Sequence, residues 1–131
     1  MNLLAPLLAL FLTFAPVGPE NPQTDHTQQI ASMIKDGDGG QLSNYFTGII
    51  DLSVMGKEDM YSRAQAKLIL IEFFNNHAPK TFEFIHKGNL QNGREYRIGE
   101  LNTADGNFRI TFYMKPVGDS FRIYQMNIKE N

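Results

Sequence analysis

The spacing of apolar positions changes from helical to alternating near residue 79, and that change divides the chain. From Tyr61 to Pro79 (YSRAQAKLILIEFFNNHAP), Ala66, Leu70, Phe73 and Phe74 fall on one helical stripe. Leu68, Ile69 and Ile71 widen it, and only Lys67 and Glu72 interrupt the apolar surface. Ser62 followed by Gln65 is a capping box, in which each side chain satisfies a backbone donor left open by the first turn. The spacing therefore predicts a helix from this point. It should end near His77, because Pro79 disfavours helical geometry at Ala78 and has no N–H to donate. His77 would then sit at the helix C-terminus, bonding free carbonyls or complementing the dipole. A helix this broadly apolar must be covered.

After Pro79 the period becomes two. Thr81 to Lys87 places Phe82 and Phe84 on one face, and Glu95 to Leu101 does the same with Tyr96 and Ile98. Asn107 to Lys115 sets Phe108, Ile110, Phe112 and Met114 against Arg109, Thr111, Tyr113 and Lys115. Phe121 to Ile128 closes the set, with Phe121 and Ile123 opposite Arg122 and Tyr124. Asn92-Gly93, Asp105-Gly106 and Gly118-Asp119 lie between these runs and suit the positive φ angles of tight hairpins. The expectation is a four-stranded antiparallel meander wrapped over the central helix, an α+β fold.

Upstream, Asp25 or Thr27 can cap a helix carrying Ile30, Met33 and Ile34, which DGDGG would stop. Gln41 to Phe46 reads as a second short helix, Ile49 to Met55 as a strand at an edge, and Lys57 to Asp59 as a polar connection. Pro16 to Gln23 (PVGPENPQ) is a Pro-rich spacer. The uncharged apolar run Leu3 to Phe14 is shorter than the roughly 20 residues that span a bilayer, so it reads as a secretory signal peptide. Residues 1–23 are thus leader and spacer, 24–131 a single domain, and the product secreted or periplasmic with no stable membrane span after signal removal.

At 131 residues the chain suits one core. A net charge of −2 argues against a nucleic-acid partner held by bulk electrostatics. The absence of cysteine removes disulfides, thiol catalysis, cysteine zinc sites and a lipidated cysteine anchor. No Gly-rich phosphate loop, nucleophile elbow or His pair at metal-ligand spacing occurs, so no cofactor or metal is implied. DGDGG fails as a calcium loop, because Gln41 stands where glycine is needed and Thr47 where the bidentate Glu is needed.

Several residues carry a resemblance: Tyr45-Phe46, Tyr61-Ser62 with Gln65-Ala66, Phe73-Phe74 before Pro79, and Phe82. It continues through His86 with Gly88, Tyr96 with Ile98-Gly99, Thr103 with Gly106, and Phe108-Arg109. Over roughly residues 27 to 129 the chain resembles the nuclear transport factor 2-like (cystatin-like) superfamily. Within it, the chain looks like a family of secreted bacterial domains of unknown function. The resemblance implies a cone-shaped domain with N-terminal helices packed in a curved antiparallel sheet. It implies no single activity, because that superfamily spans dehydratases, isomerases, cyclases and binding modules.

Strand parity singles out four candidate ligand-binding residues: His86, Tyr96, Glu100 and Gln125. His86 shares parity with Phe82 and Phe84, Glu100 with Tyr96 and Ile98, and Gln125 with Phe121 and Ile123. If those faces are concave, polar groups converge in an aromatic-lined cone, the usual form of a small-molecule pocket. The plain alternative puts them at wet strand ends, and a bulge near Gly99 would turn Glu100 outward. Arg109, Tyr113, Arg122 and Tyr124 would project from the opposite face and suit a homodimer contact. The resulting expectation is non-catalytic binding of a small apolar ligand or a protein partner. A small lyase or isomerase using His86 and Glu100 is the first alternative. A structural adaptor acting through its sheet face is the second.

Overall fold

The computed structural model describes residues 25–131. The expected signal peptide and spacer, 1–23, lie outside the described residues. Helix α1, Gln28–Asp36, presents buried Ile30 and Ile34. It stops at Gly37, whose φ of 69° only glycine adopts without strain, and whose N–H bonds the Ile34 carbonyl at 3.0 Å. Asp38 then starts α2, Gly39–Ser43, by accepting from the Gln41 N–H at 3.0 Å. Gly39 fixes this early start. A Cβ there would lie 2.9 Å from the Ile71 backbone nitrogen, so only glycine lets α2 rest on the backbone of the central helix. The second helix therefore begins two residues before the expected Gln41, and Phe46 is released to open a strand.

Strand β1, Phe46–Val54, turns through Met55 and Gly56, with φ of 52° and 89°, into β2, Lys57–Ser62. Lys57 to Asp59 are thus half of a strand, not a connection. β2 is the edge of the sheet, and β1 is not. Central helix α3, Arg63–Asn76, starts at the Ser62–Gln65 capping box as expected, with both reciprocal bonds formed at 3.2 and 3.0 Å. Strands β3 (Pro79–Asn89), β4 (Glu95–Thr103), β5 (Gly106–Val117) and β6 (Ser120–Glu130) form the antiparallel meander. β6 also pairs parallel with β1, giving a six-stranded curved sheet ordered β2-β1-β6-β5-β4-β3.

The inner sheet face carries Leu101, Phe108, Ile110, Phe112, Met114, Ile123, Met126 and Ile128, all buried. They meet Ile34, Leu42, Ala66, Leu70, Phe73 and Phe74 from the helices. Each fully buried large apolar side chain contributes about 1.5–3 kcal/mol of transfer free energy. The other end of the sheet is closed by Arg97, only 5% exposed, on the inner face of β4. Its guanidinium donates to Asp25 at 3.3 Å, Glu95 at 3.0 Å, Thr27 Oγ1 at 3.3 Å and the Tyr96 carbonyl at 3.0 Å. The start of α1 is pinned to the sheet by these bonds. Burial alone would raise the Asp25 carboxyl. The Thr27 hydroxyl and N–H and the Arg97 charge outweigh it and hold the group at about 2.

Two interruptions in register decide which side chains face inward. The ladder between β3 and β4 slips between Phe84 and His86, leaving Ile85 as an extra residue. The ladder between β5 and β6 slips where Met114 pairs with Ile123 and Tyr113 with Gln125, leaving Tyr124 extra. Each slip exchanges the two faces for the residues beyond it.

Candidate functional site

Between α3 and the β1–β2 hairpin lies a cleft of about 560 Å³. Its apolar wall is Leu52 and Val54 from β1 with Ile69 and Phe73 from α3. Lys57 and Tyr61 border it from β2, and Glu72, Asn76 and His77 from the end of α3. The helix places these residues by its own spacing: Ile69, Phe73 and His77 recur every four positions and so line one face.

His77 is held from three sides. Its ring lies 4.9 Å from Phe73 and 4.8 Å from Phe108, centroid to centroid. Its Nδ1 is 3.2 Å from Asp105 Oδ2 across the β4–β5 turn. Asp105 in turn accepts from the Thr103 hydroxyl at 2.9 Å. That hydroxyl first, and the histidine second, hold the Asp105 carboxyl below its ordinary range although burial opposes them. A carboxylate beside Nδ1 selects the tautomer that carries its proton there, leaving Nε2 as the ring's second polar atom. Sequence reading located His77 at the helix end but missed this arrangement, because Asp105 lies 28 residues away and meets it only through the fold.

The four residues chosen from strand parity all lie on the outer face, and the expected convergence inside the cone is not met. His86 stands beyond the Ile85 bulge and pairs with Ile98, so it no longer shares a face with Phe82 and Phe84. Gln125 stands beyond the Tyr124 bulge and pairs with Tyr113, so it parts from Ile123. Tyr96 and Glu100 keep their shared parity, but the inward face of β4 is the other one, carrying Arg97, Gly99 and Leu101. The Phe82 ring lies against Gly99 where a Cβ would collide, which hides the glycine position that alternation alone would give to a side chain. Glu100 bonds Arg109 at 3.0 Å and also the Asn131 amide. Among the described residues no hydrogen bond joins His86 to Glu100.

The outer face instead brings these residues together with the set expected opposite them. His86, Tyr96, Tyr113 and Tyr124 form a ladder of rings, with centroids successively 6.5, 6.0 and 6.3 Å apart. Arg94 lies 5.0 Å and Lys115 5.8 Å from the Tyr124 ring centroid. A shallow depression lined by Asn89, Leu90, Gln91, Asn92, Arg94 and Tyr124 adjoins this end. Arg122 turns away and donates to the Asn44 carbonyl at 2.6 Å. At the other margin, Asp51 shares a hydrogen bond with Glu58 and adds its charge, which together raise the Glu58 carboxyl.

Among the described residues, no group of three metal-ligating side chains is assembled, and no helix is long and apolar enough to cross a membrane. No curated protein matches the chain. Among solved structures, a protein from Bacteroides uniformis is 26% identical and superposes with a TM-score of 0.76, over 82% of this chain and 98% of its own. An NTF-2 like protein of unknown function from Silicibacter pomeroyi shares the fold at 13% identity and a TM-score of 0.60, over 80% of this chain and 89% of that one. A cystatin-like domain of unknown function from Nostoc punctiforme does so at 9% and 0.63, over 84% and 80%. The fold is therefore NTF2-like and cystatin-like, as the resemblance implied. The first of these structures is described as a DUF4783 family protein. Residues 27–129 match the same family, a domain of unknown function, and the chain belongs to it.

Proposed function

We propose that this domain is a non-catalytic binding module that takes a small, largely apolar molecule in the cleft between α3 and the β1–β2 hairpin. The supporting observation is the cleft's construction: an apolar wall of Leu52, Val54, Ile69 and Phe73 with polar side chains at its margin. Ligand residues are accordingly sought at Tyr61 and His77, ahead of the outward His86, Tyr96, Glu100 and Gln125. The uncharged run Leu3 to Phe14 supports secretion or a periplasmic location. The test is fluorescence titration with anilinonaphthalene sulfonate. The wild type should bind, and Val54→Phe, which sets a ring into the apolar wall of the cleft, should weaken binding about tenfold or more. Equal binding by a folded Val54→Phe variant would overturn the proposal.

A second reading concerns the outer face, which suits a second copy of the chain. The rings of Tyr96, Tyr113 and Tyr124 occupy its middle, Asp51 and Glu58 lie at one margin, and Arg94 and Lys115 lie at the other. A two-fold axis between Gln125 and Tyr113 would set each acidic margin on the partner's basic one. Sedimentation should show a dimer that Lys115→Glu weakens. A monomer at high concentration would remove this reading.

A further inference from the structure

The cleft's one geometrically fixed polar group says which small molecules it would hold. We infer that His77 is the ligand anchor, and that the cleft selects weakly acidic hydroxyl compounds, such as phenols, over neutral apolar molecules of the same shape. This rests on the cleft being the binding site. His77 lines it, with Nδ1 taken by Asp105 at 3.2 Å and Asp105 taken by Thr103 at 2.9 Å. Phe73 and Phe108 flank the ring and limit its rotation. The ring's remaining polar atom is Nε2, which in this tautomer carries a lone pair and accepts.

An acceptor backed by a carboxylate selects a donor. As a ligand hydroxyl approaches Nε2, its proton can shift onto the ring. The ligand O–H bond lengthens or breaks, the Nε2–H bond forms, and the imidazolium lies between Asp105 and the new oxyanion. Charge is conserved and no co-reactant is needed. Such charge-assisted bonds are about twice as strong as neutral ones. The other charged residues of the cleft are Lys57 and Glu72, one of each sign, and the C-terminal carbonyls of α3 carry the negative end of its dipole. No excess of positive charge waits for a permanent anion. A neutral acid that gives up its proton on arrival fits better.

Two probes separate the outcomes: 4-nitrophenol, a weak acid whose phenolate absorbs distinctly, and 4-nitroanisole, of similar shape without the hydroxyl. With the full chain, 4-nitrophenol should bind about tenfold more tightly than 4-nitroanisole and show phenolate-like absorption when bound. His77→Gln should abolish that tenfold preference, so that the two probes bind about equally. Nitrogen-15 NMR of the neutral ring should show the proton on Nδ1 of His77, and Asp105→Asn, whose amide can donate to Nδ1, should move it to Nε2. Equal binding of both probes, or a proton on Nε2 in the wild type, overturns the anchor while leaving the cleft as a pocket. Failure of both probes to bind overturns the anchor and the pocket together.

Discussion

Arg97→Met tests how much the buried guanidinium contributes to stability. The side chain is 6% exposed and makes four hydrogen bonds, two of them to carboxylates. Removing one partner of a buried ion pair costs about 3–5 kcal/mol, mainly because the remaining charge is left without compensation. Here that figure falls. Asp25 and Glu95 keep 21% and 18% side-chain exposure, Asp25 keeps its bonds from Thr27, and Glu95 keeps His26 at 3.2 Å. About 2–3 kcal/mol is therefore expected. With a urea dependence of roughly 1.5 kcal/mol per molar for a domain of this size, the midpoint should drop by about 1.3–2 M at an unchanged slope.

The same variant should alter the acid limb. Asp25 sits at about 2 in the fold against an ordinary 3.8, so its contribution is complete above pH 4 and is lost as pH falls toward 2. That difference corresponds to about 2 kcal/mol, reduced to about 1 by solvent screening of the partly exposed carboxylate. Arg97→Met should make this limb shallower in part only, because the Thr27 hydroxyl and N–H, which lower Asp25 more than Arg97 does, stay in place. A loss below 0.5 kcal/mol at neutral pH, with the acid limb unchanged, would refute the assignment of Arg97 as the group that pins α1.

Gly99→Ala should cost about 1–3 kcal/mol in urea melts, because its Cβ meets the Phe82 ring, which packs against the core; Gly88→Ala should cost less, because Tyr96 on the outer face can swing aside. Ser62→Ala removes the hydroxyl that accepts from the Gln65 N–H and should cost about 1 kcal/mol in thermal unfolding. Asp51→Asn should lower the Glu58 titration midpoint seen by NMR, since Asp51 is the first cause of its elevation. The raised Glu58 favours the fold below its unfolded midpoint and loses that contribution as pH rises through the folded one, so the variant should weaken this trend.

Legibility in the sequence followed how one-sided each element's environment is. Helix α3 was readable from both ends, because Ser62 and Gln65 form a local cap and Leu70, Phe73 and Phe74 are all buried. β5 was readable because Phe108, Ile110, Phe112 and Met114 alternate without a slip. β2 was not: Lys57, Glu58, Asp59 and Met60 are all exposed, so an edge strand wetted on both faces has no alternation to show. β4 alternates clearly, but its inward set contains an ion-paired arginine and a glycine roofed by a ring, so the more hydrophobic set, Tyr96 and Ile98, is the outward one. The positions of His86 and Gln125 depended on bulges at Ile85 and Tyr124, which leave no mark in composition. The His77–Asp105 pair is tertiary, and neither residue carried a local signal of the other.

The parallel pairing of β1 with β6 has a consequence for the order in which the chain assembles. Leu52 meets Met126, and Val54 meets Ile128, across roughly 75 residues. Bringing such distant segments together costs about 4 kcal/mol of chain entropy before the contact returns anything. A nascent chain emerging from the ribosome can form α3 and the β3–β5 hairpins early. It cannot anchor β1 and β2, and so cannot close the cleft, until β6 is free. Folding should thus be slow for the domain's size, and loss of the final strand should leave the first without a neighbour on its inner side.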